Sequence, residues 1–342
     1  MFSLEEMRAA HDLVRKALTP TPAICWPLIA ARLGTEVWVK HENHQPIGAF
    51  KVRGGLTYVE ALMRRGADLR GLISATRGNH GQSIAFAGRR YGLPVTITVP
   101  HGNSREKNAA MRALGAELIE FGRDFQEARE EAARLAEARG LHMVPSFHRD
   151  LALGVSTYAV ELLSEHADLD TLYVPIGQGS GVCGCIAARD ALGLKTEIVG
   201  VQSAEAPAYA LSLAAGHVVH TNSAETLADG MATRSPDEEA LAVIMKGAAR
   251  IALVRDGEIA EAIRAYWTDT HNLAEGAGAA ALAAANKERA RLKGRKVGLV
   301  LSGGNIDFDL FQRWVARAPS AAAVAALDER GRRGRRPRLQ PK

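Results

Sequence analysis

Cysteine is scarce in this sequence. The 342 residues include only three, Cys25, Cys183 and Cys185. An odd number in a chain of this length argues against a disulfide framework and favours a reducing compartment. The Cys183 and Cys185 pair does not suit a structural zinc site, because no second ligand pair lies at the required spacing. We therefore expect free thiols, with this pair as small core residues, in a cytoplasmic protein.

Long apolar runs are also missing. No window approaches the roughly 20 apolar residues that a membrane-spanning helix needs. Residues 1–16 mix acidic and basic side chains, which a signal peptide does not do. We therefore expect no membrane segment.

Aromatic residues make up only 5% of the chain, and the net charge of +5 is unevenly distributed. Residues 330–342 carry seven basic side chains and no acid, which leaves the rest of the chain near −2. No aromatic side chain lies between these arginines, so the segment lacks the stacking groups of nucleic-acid binding. We expect residues 321–342 to form a basic, disordered tail and expect no nucleic-acid partner. A polyanion-binding arm is the alternative.

Strand and helix patterns alternate along most of the chain. Such alternation with short connections predicts an α/β fold with parallel sheets covered on both faces. The length exceeds that of most single cores, so we expect two α/β domains. The predicted larger domain comprises residues 1–65 and 146–320, and the smaller one comprises residues 70–145. The predicted strands are Leu72–Ala75, Val95–Val99, Glu117–Phe121, Thr171–Ile176, Glu197–Gln202, Ile251–Val254 and Val297–Leu301.

A further strand is predicted for Thr35 to Lys40, where Val37 and Val39 alternate with more polar neighbours. After a turn, the apolar spacing from residue 51 to residue 65 is helical, so Lys51 opens a helix. A lysine in such an apolar turn is expensive to bury as a cation. As a neutral amine it would be a nucleophile toward carbonyl groups. An ordinary lysine that reaches solvent is the alternative.

Three glycine-containing loops each follow a predicted strand, at residues 77–81, 177–181 and 302–305. Ligands of open α/β sheets bind in the crevice at this edge of the strands. The loop 177–181 also precedes a helix, predicted to begin near Val182, which suits phosphate binding. It lacks the Lys-Ser/Thr ending of a nucleotide-binding P-loop. A tight turn without a ligand is equally compatible with this pattern.

Five segments, in order, resemble motifs of the serine/threonine dehydratases, which are fold type II pyridoxal 5'-phosphate (PLP) enzymes. Together they cover the chain from about residue 19 to residue 307. The resemblance implies the tryptophan synthase β-like architecture, PLP as cofactor in the larger domain, a small amino acid as substrate and a homodimer. The matching segments are Lys40–Gly54, Ser74–Gln82, Pro175–Gly181, Thr226–Gly230 and Ser302–Asn305.

The resemblance also assigns roles. Lys51 would hold PLP as a Schiff base and exchange protons at the substrate α-carbon. Phe50 would pack against the pyridine ring, Asn79 would contact its phenolic oxygen, and Ser302 would meet the ring nitrogen. The implied cofactor-binding residues are Phe50, Lys51, Asn79, Gly177, Gln178, Gly179, Ser180, Gly181, Gly230 and Ser302. The loop amides of Thr76, Arg77, Gly78, Asn79 and His80 would bind the substrate carboxylate.

Arg77 departs from the family pattern, which usually has a small residue directly before Gly-Asn-His. A racemase needs a serine there as its second base, and a permanently charged guanidinium cannot replace it. We hypothesise that Arg77 pairs with a second substrate carboxylate or stacks on an aromatic β-substituent. The alternative is that Arg77 faces solvent or ties down the loop.

A second departure concerns a structural cation. Some relatives carry acids in the stretch that matches residues 202–209, whereas here Gln202, Ala206 and Ala208 occupy those places. Glu205 alone is a poor site for a hard cation, so we expect no bound metal. Ala49 also replaces the usual serine before Phe-Lys.

The resemblance therefore predicts a lyase: a PLP-dependent dehydratase, or ammonia-lyase, that converts a threonine-like or serine-like 3-hydroxy amino acid to a 2-oxo acid and ammonia. The alternatives are a dehydratase for a bulkier substrate such as 3-phenylserine or 3-hydroxyaspartate, a β-replacement enzyme, and a PLP-binding protein without catalysis.

Overall fold

The computed structural model describes residues 1–66 and 69–316. The strands are β1 (Ala23–Cys25), β2 (Glu36–His41), β3 (Leu72–Ala75), β4 (Val95–Val99), β5 (Glu117–Glu120), β6 (His142–Met143), β7 (Thr171–Pro175), β8 (Glu197–Ser203), β9 (Arg250–Val254) and β10 (Lys296–Leu301). The α-helices are α1 (Leu4–Arg15), α2 (Pro27–Leu33), α3 (Lys51–Arg64), α4 (Asn79–Tyr91), α5 (Arg105–Ala113), α6 (Phe125–Arg139), α7 (Arg149–Glu165), α8 (Ser180–Ala191), α9 (Ala208–Ala215), α10 (Glu238–Gly247), α11 (Asp256–Thr270), α12 (Gly276–Lys287) and α13 (Phe308–Val315). The tail predicted for residues 321–342 lies outside the described residues.

The strands form two sheets, which confirms the predicted α/β fold. The larger sheet has the order β1-β2-β10-β7-β8-β9, and the smaller has the order β5-β4-β3-β6. All neighbouring strands are parallel except β1, which pairs antiparallel with β2. The sequence pattern missed β1 and β6 because three and two residues are too few to show a period. The exact domain limits remain a prediction.

Helices cover both faces of each sheet. The Ala- and Gly-rich helix α12 is buried along almost its whole length and lies against β7 and β10. Helices α7 and α8 pack together on the other face of the larger sheet, and α6 packs on β3 and β4 of the smaller sheet. Helix α3 joins the two units, since it contacts both α4 and α7. None of the helices within residues 1–66 and 69–316 combines the length and the apolar character of a membrane span.

The observed strand β2 differs from the strand predicted for Thr35 to Lys40 in two respects. It is shifted by one residue, to Glu36–His41. In addition, Lys40 was expected on a solvent face but is only 2% exposed. The amine of Lys40 lies 2.7 Å from a carboxylate oxygen of Glu161 on α7. Local alternation places a lysine outside because an unpaired ammonium is costly to bury, and this distant partner removes that cost.

Candidate active site

The predicted loops lie at the carboxyl ends of their strands. The loop after β10 pairs with the segment before α3 through an isolated bridge between Ala49 and Gly303. The Phe50 amide donates to the Ser302 carbonyl at 3.0 Å, and the Gly304 amide donates to the Gly48 carbonyl at 2.9 Å. These bonds fix the start of α3 against the end of β10.

Lys51 is the first residue of α3, as the sequence predicted, and its side chain is partly buried. Its Nζ atom lies 5.3 Å from the centroid of the Phe50 ring. Among the described residues no carboxylate pairs with this amine. Burial lowers the pKa of Lys51 from its usual value of about 10.5 to about 8. Near neutral pH the neutral fraction of this amine is therefore larger than that of an ordinary lysine, and carbonyl chemistry requires the neutral form.

The loop 177–181 leads directly from β7 into α8. The helix begins at Ser180 rather than near Val182, with Gly179 as its N-cap at φ +97°. The first amides of a helix have no partner within that helix, and the helix dipole there favours an anion. Ser180 is buried at 3% exposure. The loop therefore offers a cluster of amide donors suited to phosphate.

Glycine is required in this loop by close packing. A Cβ on Gly177 would overlap the Gly230 carbonyl oxygen, so the turn at residues 229–231 lies directly on the loop. A Cβ on Gly179 would lie 2.7 Å from that of Ala240. The carbonyls of Gln178 and Gly181 accept hydrogen bonds from tyrosine hydroxyls at 3.0 Å and 3.3 Å, which hold the loop from below.

The loop after β3 is folded around one hydroxyl. Thr76 Oγ1 accepts hydrogen bonds from the Gly78 amide at 2.9 Å and the Gly81 amide at 3.3 Å. The Thr76 amide itself donates to the Thr98 carbonyl of β4. The amides of Thr76 and Gly78 therefore have partners within the protein, whereas those of Arg77, Asn79 and His80 remain unpaired in the described structure. Binding of the substrate carboxylate by this loop stays a prediction.

The Asn79 amide group is oriented by two partners. Its Nδ2 donates to Glu275 Oε1 at 2.6 Å, and its Oδ1 accepts from Asn305 Nδ2 at 2.8 Å. An amide nitrogen has two hydrogens, so one remains for a ligand. Asn305 in turn donates to the Ile47 carbonyl at 2.7 Å, which ties α4 to both neighbouring loops.

His80 follows Asn79 on α4. Its Nε2 atom is buried without a hydrogen-bond partner in the described structure, while the ring bonds to the Pro145 backbone. Burial, with a further contribution from the nearby Lys51 charge, lowers the pKa of His80 to about 3. His80 is therefore neutral at physiological pH, with a buried polar atom free for a ligand.

The remaining predicted site residues differ in their exposure. Arg77 is exposed and makes no ion pair with the described part of the chain. Ser302 is 3% exposed, and its hydroxyl has no partner among the described residues. The Phe50 ring makes an edge-to-face contact with Tyr158, with ring centroids 6.0 Å apart. Its contact with a pyridine ring remains a prediction.

Polar side chains in the stretch from Gln202 to Tyr209 make hydrogen bonds within the stretch and to the adjoining helix α9. Gln202 Oε1 accepts from the Ala210 amide at 2.8 Å, and the Ser203 hydroxyl donates to Glu205 at 2.8 Å. Within residues 1–66 and 69–316, no group of three or more potential metal ligands was found. The absence of a metal at this place stays a prediction.

Sequence reasoning missed the carboxylate and the amine that surround Asn79. Glu275, at 2% exposure, precedes α12 and binds the Asn79 side chain. Lys107 of α5 pairs with both Glu275 and Asp229. A single acid before an Ala- and Gly-rich helix was a usable signal for Glu275. No sequence signal distinguished Lys107, because the charged run Arg105-Glu106-Lys107 is typical of a solvent-exposed helix start.

The residues fit PLP on their own chemistry. The described structure has a desolvated amine without a counter-charge, a glycine loop of unpaired amides at the start of α8, and free polar atoms on Ser302 and His80. Amine, anion-binding loop and ring-edge partner are the three groups that a phosphorylated pyridine aldehyde requires.

Comparison with known proteins is consistent with this fit. A family profile described as pyridoxal-phosphate dependent enzyme matches residues 14–303. An L-threonine ammonia-lyase of Geobacter sulfurreducens is 37% identical over 318 residues, covering 92% of this chain and 79% of the relative. An L-threo-3-hydroxyaspartate ammonia-lyase of Saccharomyces cerevisiae is 33% identical over 300 residues, covering 87% and 91%. The processed threonine deaminase isoform 2 of Solanum lycopersicum superposes with a TM-score of 0.84 at 29% identity, covering 91% of each chain.

Proposed function

The chain belongs to the pyridoxal-phosphate dependent enzyme family, and from this premise we propose that it is a dehydratase, or ammonia-lyase, of 3-hydroxy amino acids. The reaction removes the α-proton and the β-hydroxyl as water. The enamine that is released hydrolyses to a 2-oxo acid and ammonia. The observation that carries the proposal is the uncompensated amine of Lys51 next to the loops 77–81 and 302–305.

Residues of both sheets would hold the cofactor. The amides of Gly177, Gly179, Ser180 and Gly181 would bind its phosphate, because they open α8 without partners of their own. The Ser302 hydroxyl would meet the pyridine nitrogen. The remaining cofactor-binding residues would be Phe50, Asn79, Gln178 and Gly230.

Bound PLP would supply an electron sink for the substrate α-carbon. The neutral amine of Lys51 would act as the base that takes the α-proton. Burial favours the neutral amine, since it lowers the pKa of Lys51 to about 8. The unpaired amides of Arg77, Asn79 and His80 would bind the substrate carboxylate at the start of α4, where the helix dipole favours an anion.

A second candidate substrate class follows from Arg77. This exposed guanidinium lies on the loop that would bind the substrate and has no carboxylate partner among the described residues. A second carboxylate on the substrate would supply one, and two relatives are named L-threo-3-hydroxyaspartate ammonia-lyases. 3-Hydroxyaspartate is therefore the alternative substrate. 3-Phenylserine is a further alternative, because Arg77 would stack on its aromatic ring.

A substrate panel tests the proposal. The PLP-loaded protein is incubated with serine, threonine, 3-hydroxyaspartate and 3-phenylserine, and ammonia and 2-oxo acid are measured together. We expect equal amounts of both products from at least one substrate, and a loss of about 10³-fold or more in Lys51→Ala. No product from any of the four would overturn the proposal.

The same panel run with Arg77→Ala separates the two substrate classes. If Arg77 binds a β-carboxylate, kcat/KM for 3-hydroxyaspartate should fall by about tenfold or more while that for threonine changes little. An unchanged preference would remove Arg77 from substrate recognition.

We also propose that the enzyme is a cytoplasmic homodimer. The free thiols of Cys25, Cys183 and Cys185 support a reducing compartment. Exposed apolar side chains on neighbouring helices support a second copy as partner. Trp267 of α11 is 45% exposed and Phe308 of α13 is 60% exposed, and α11 packs against α13.

A further inference from the structure

Lys107 is a buried cation between two carboxylates of the other structural unit. It lies on α5, beside the smaller sheet, and is only 5% exposed. Its Nζ atom is 2.6 Å from Asp229 Oδ2 and 3.0 Å from Glu275 Oε2. Glu275 lies at the start of α12, on the larger sheet. The ion pairs therefore cross from one unit to the other.

A single residue, Glu275, connects Lys107 to Asn79 of the proposed cofactor site. One oxygen of Glu275 faces Lys107, and its other oxygen accepts the 2.6 Å hydrogen bond from Asn79. The aliphatic part of Lys107 also packs on Gly78, where a Cβ would overlap it. Lys107 thus contacts the loop 77–81 directly at Gly78 and through Glu275 at Asn79.

The charges of this cluster do not balance. Burial would lower the pKa of Lys107, but Glu275 and Asp229 outweigh it and raise the pKa, so Lys107 stays charged. Burial raises the pKa of Glu275, Lys107 opposes that shift, and Asp229 adds to it. Lys107 and Asp229 are the charged groups that face Glu275 from the elements packed around it. One cation serves two acids, so removing it would favour protonation of Glu275.

We propose that Lys107 is a positioning residue that keeps Glu275 an ionised acceptor for Asn79 and so fixes the first turn of α4 against the Ser302 loop. An ionised carboxylate only accepts hydrogen bonds, whereas a protonated one also donates. With Glu275 ionised, the Asn79 nitrogen must point to Glu275 and its oxygen to Asn305, as the structure has them. The inference rests on PLP binding at Lys51.

The experiment measures PLP affinity of the full-length apoprotein by titration, from about pH 6 to about pH 9, for wild type, Lys107→Met and Lys107→Gln. We expect both variants to bind PLP about tenfold or more weakly than wild type at neutral pH. The ratio to wild type should shrink as pH rises, because Glu275 ionises again. Lys107→Gln retains hydrogen-bonding capacity without charge, so it separates loss of charge from a packing defect of methionine.

Two controls complete the test. Arg105→Met removes an exposed ion pair to Asp309, 2.8 Å long, between the same two units. It should leave PLP affinity unchanged at every pH. Glu275→Gln removes the titrating group, so adding Lys107→Met to it should produce no further pH-dependent loss.

The outcomes are distinct. A loss of affinity in the Lys107 variants that is equal at all pH values, or no loss, overturns the inference. A pH-dependent loss that persists in the Glu275→Gln background also overturns it. If wild type itself forms no Lys51-dependent visible absorption band with PLP, the proposed function fails instead. Circular dichroism spectra identify any variant that does not fold, and the Glu275→Gln variant then carries the test. Because Glu275 is ionised throughout this range in wild type, the variant should keep the wild-type pH dependence of PLP affinity, and a flatter dependence would show that wild-type Glu275 titrates there and would overturn the inference.

Discussion

Three lysines are largely removed from solvent, and their surroundings give them different chemistry. Lys40 pairs with Glu161 at 2.7 Å, and Lys107 pairs with Asp229 and Glu275. Lys51 has no such partner among the described residues, and burial lowers its pKa to about 8. A neutral, nucleophilic amine therefore arises only where no carboxylate compensates the burial of the charge.

The lowered pKa of Lys51 predicts the pH dependence of cofactor uptake. Because only the neutral amine attacks an aldehyde, the rate of PLP uptake by the apoprotein should rise with pH and level off above about 8. An ordinary lysine would give a rise that continues toward about 10.5. Stopped-flow absorbance measures this rate. A curve without a bend near 8 would contradict the lowered pKa.

The same shift has a consequence for stability. Between about pH 8 and about 10.5 the unfolded chain binds more protons at residue 51 than the folded apoprotein. Apoprotein stability should therefore rise with pH across this window. Urea unfolding of wild type and Lys51→Met at several pH values checks this, since the variant should lack that part of the rise.

At the scale of elements, helix α3 is anchored by a buried charge network two residues after Lys51. Arg53 donates to Glu42 at 2.8 Å, to Glu161 at 2.8 Å and to Thr157 at 2.9 Å. Burial would lower the pKa of Arg53, but the two carboxylates outweigh it and raise the pKa. The network joins α3 to α7 and to the segment after β2, so it fixes the helix that carries Lys51.

Removing the centre of this network should be costly. We expect Arg53→Met to lower the free energy of unfolding by about 3–5 kcal/mol, because Glu42 and Glu161 lose their buried partner. Arg64→Met on the same helix is the matched control. Arg64 is 72% exposed and pairs with Glu60, so its loss should cost less than about 1 kcal/mol. Urea unfolding of both variants measures the difference, and equal losses would contradict a special role for Arg53.

The glycine loop before α8 gives a second prediction at this scale. In Gly177→Ala the new Cβ would overlap the Gly230 carbonyl oxygen, so the loop and the turn at residues 229–231 must move apart. PLP affinity should fall by about tenfold or more because the phosphate-binding amides shift. Gly257→Ala in the first turn of α11 meets no atom within 4 Å and should bind PLP as wild type does. Equal PLP affinity of the two variants would indicate that the phosphate binds elsewhere.

Most of the longer elements were predictable because their signals are local. Strands β3 and β4 lie where apolar runs between turns placed them, and Lys51 opens its helix as predicted. The partners of Asn79 were not predictable, since Lys107 and Glu275 are 168 residues apart in sequence and neither has a local pattern. The predicted exposure of Lys40 was wrong for the same reason, because its burial depends on the carboxylate of Glu161, far along the chain.

At the scale of the whole molecule, the apolar side chains of α11 and α13 test the proposed dimer. Multi-angle light scattering should give twice the chain mass for wild type. Trp267→Glu combined with Phe308→Glu should give one chain mass, because two charges would face an apolar surface. The matched control is Leu211→Glu on α9, which is 44% exposed and lies elsewhere. A monomeric wild type would contradict the proposed dimer. A dimeric double variant would show that the interface lies on another face.

The position of β10 has a consequence for biosynthesis. This strand is formed by residues 296–301, yet it lies between β2 and β7 in the larger sheet. A nascent chain on the ribosome therefore cannot bring β2 and β7 into their final arrangement until residues 296–301 have been translated. Capture of the vitamin-derived cofactor must await that strand, so a chain truncated before residue 296 should be unable to hold it.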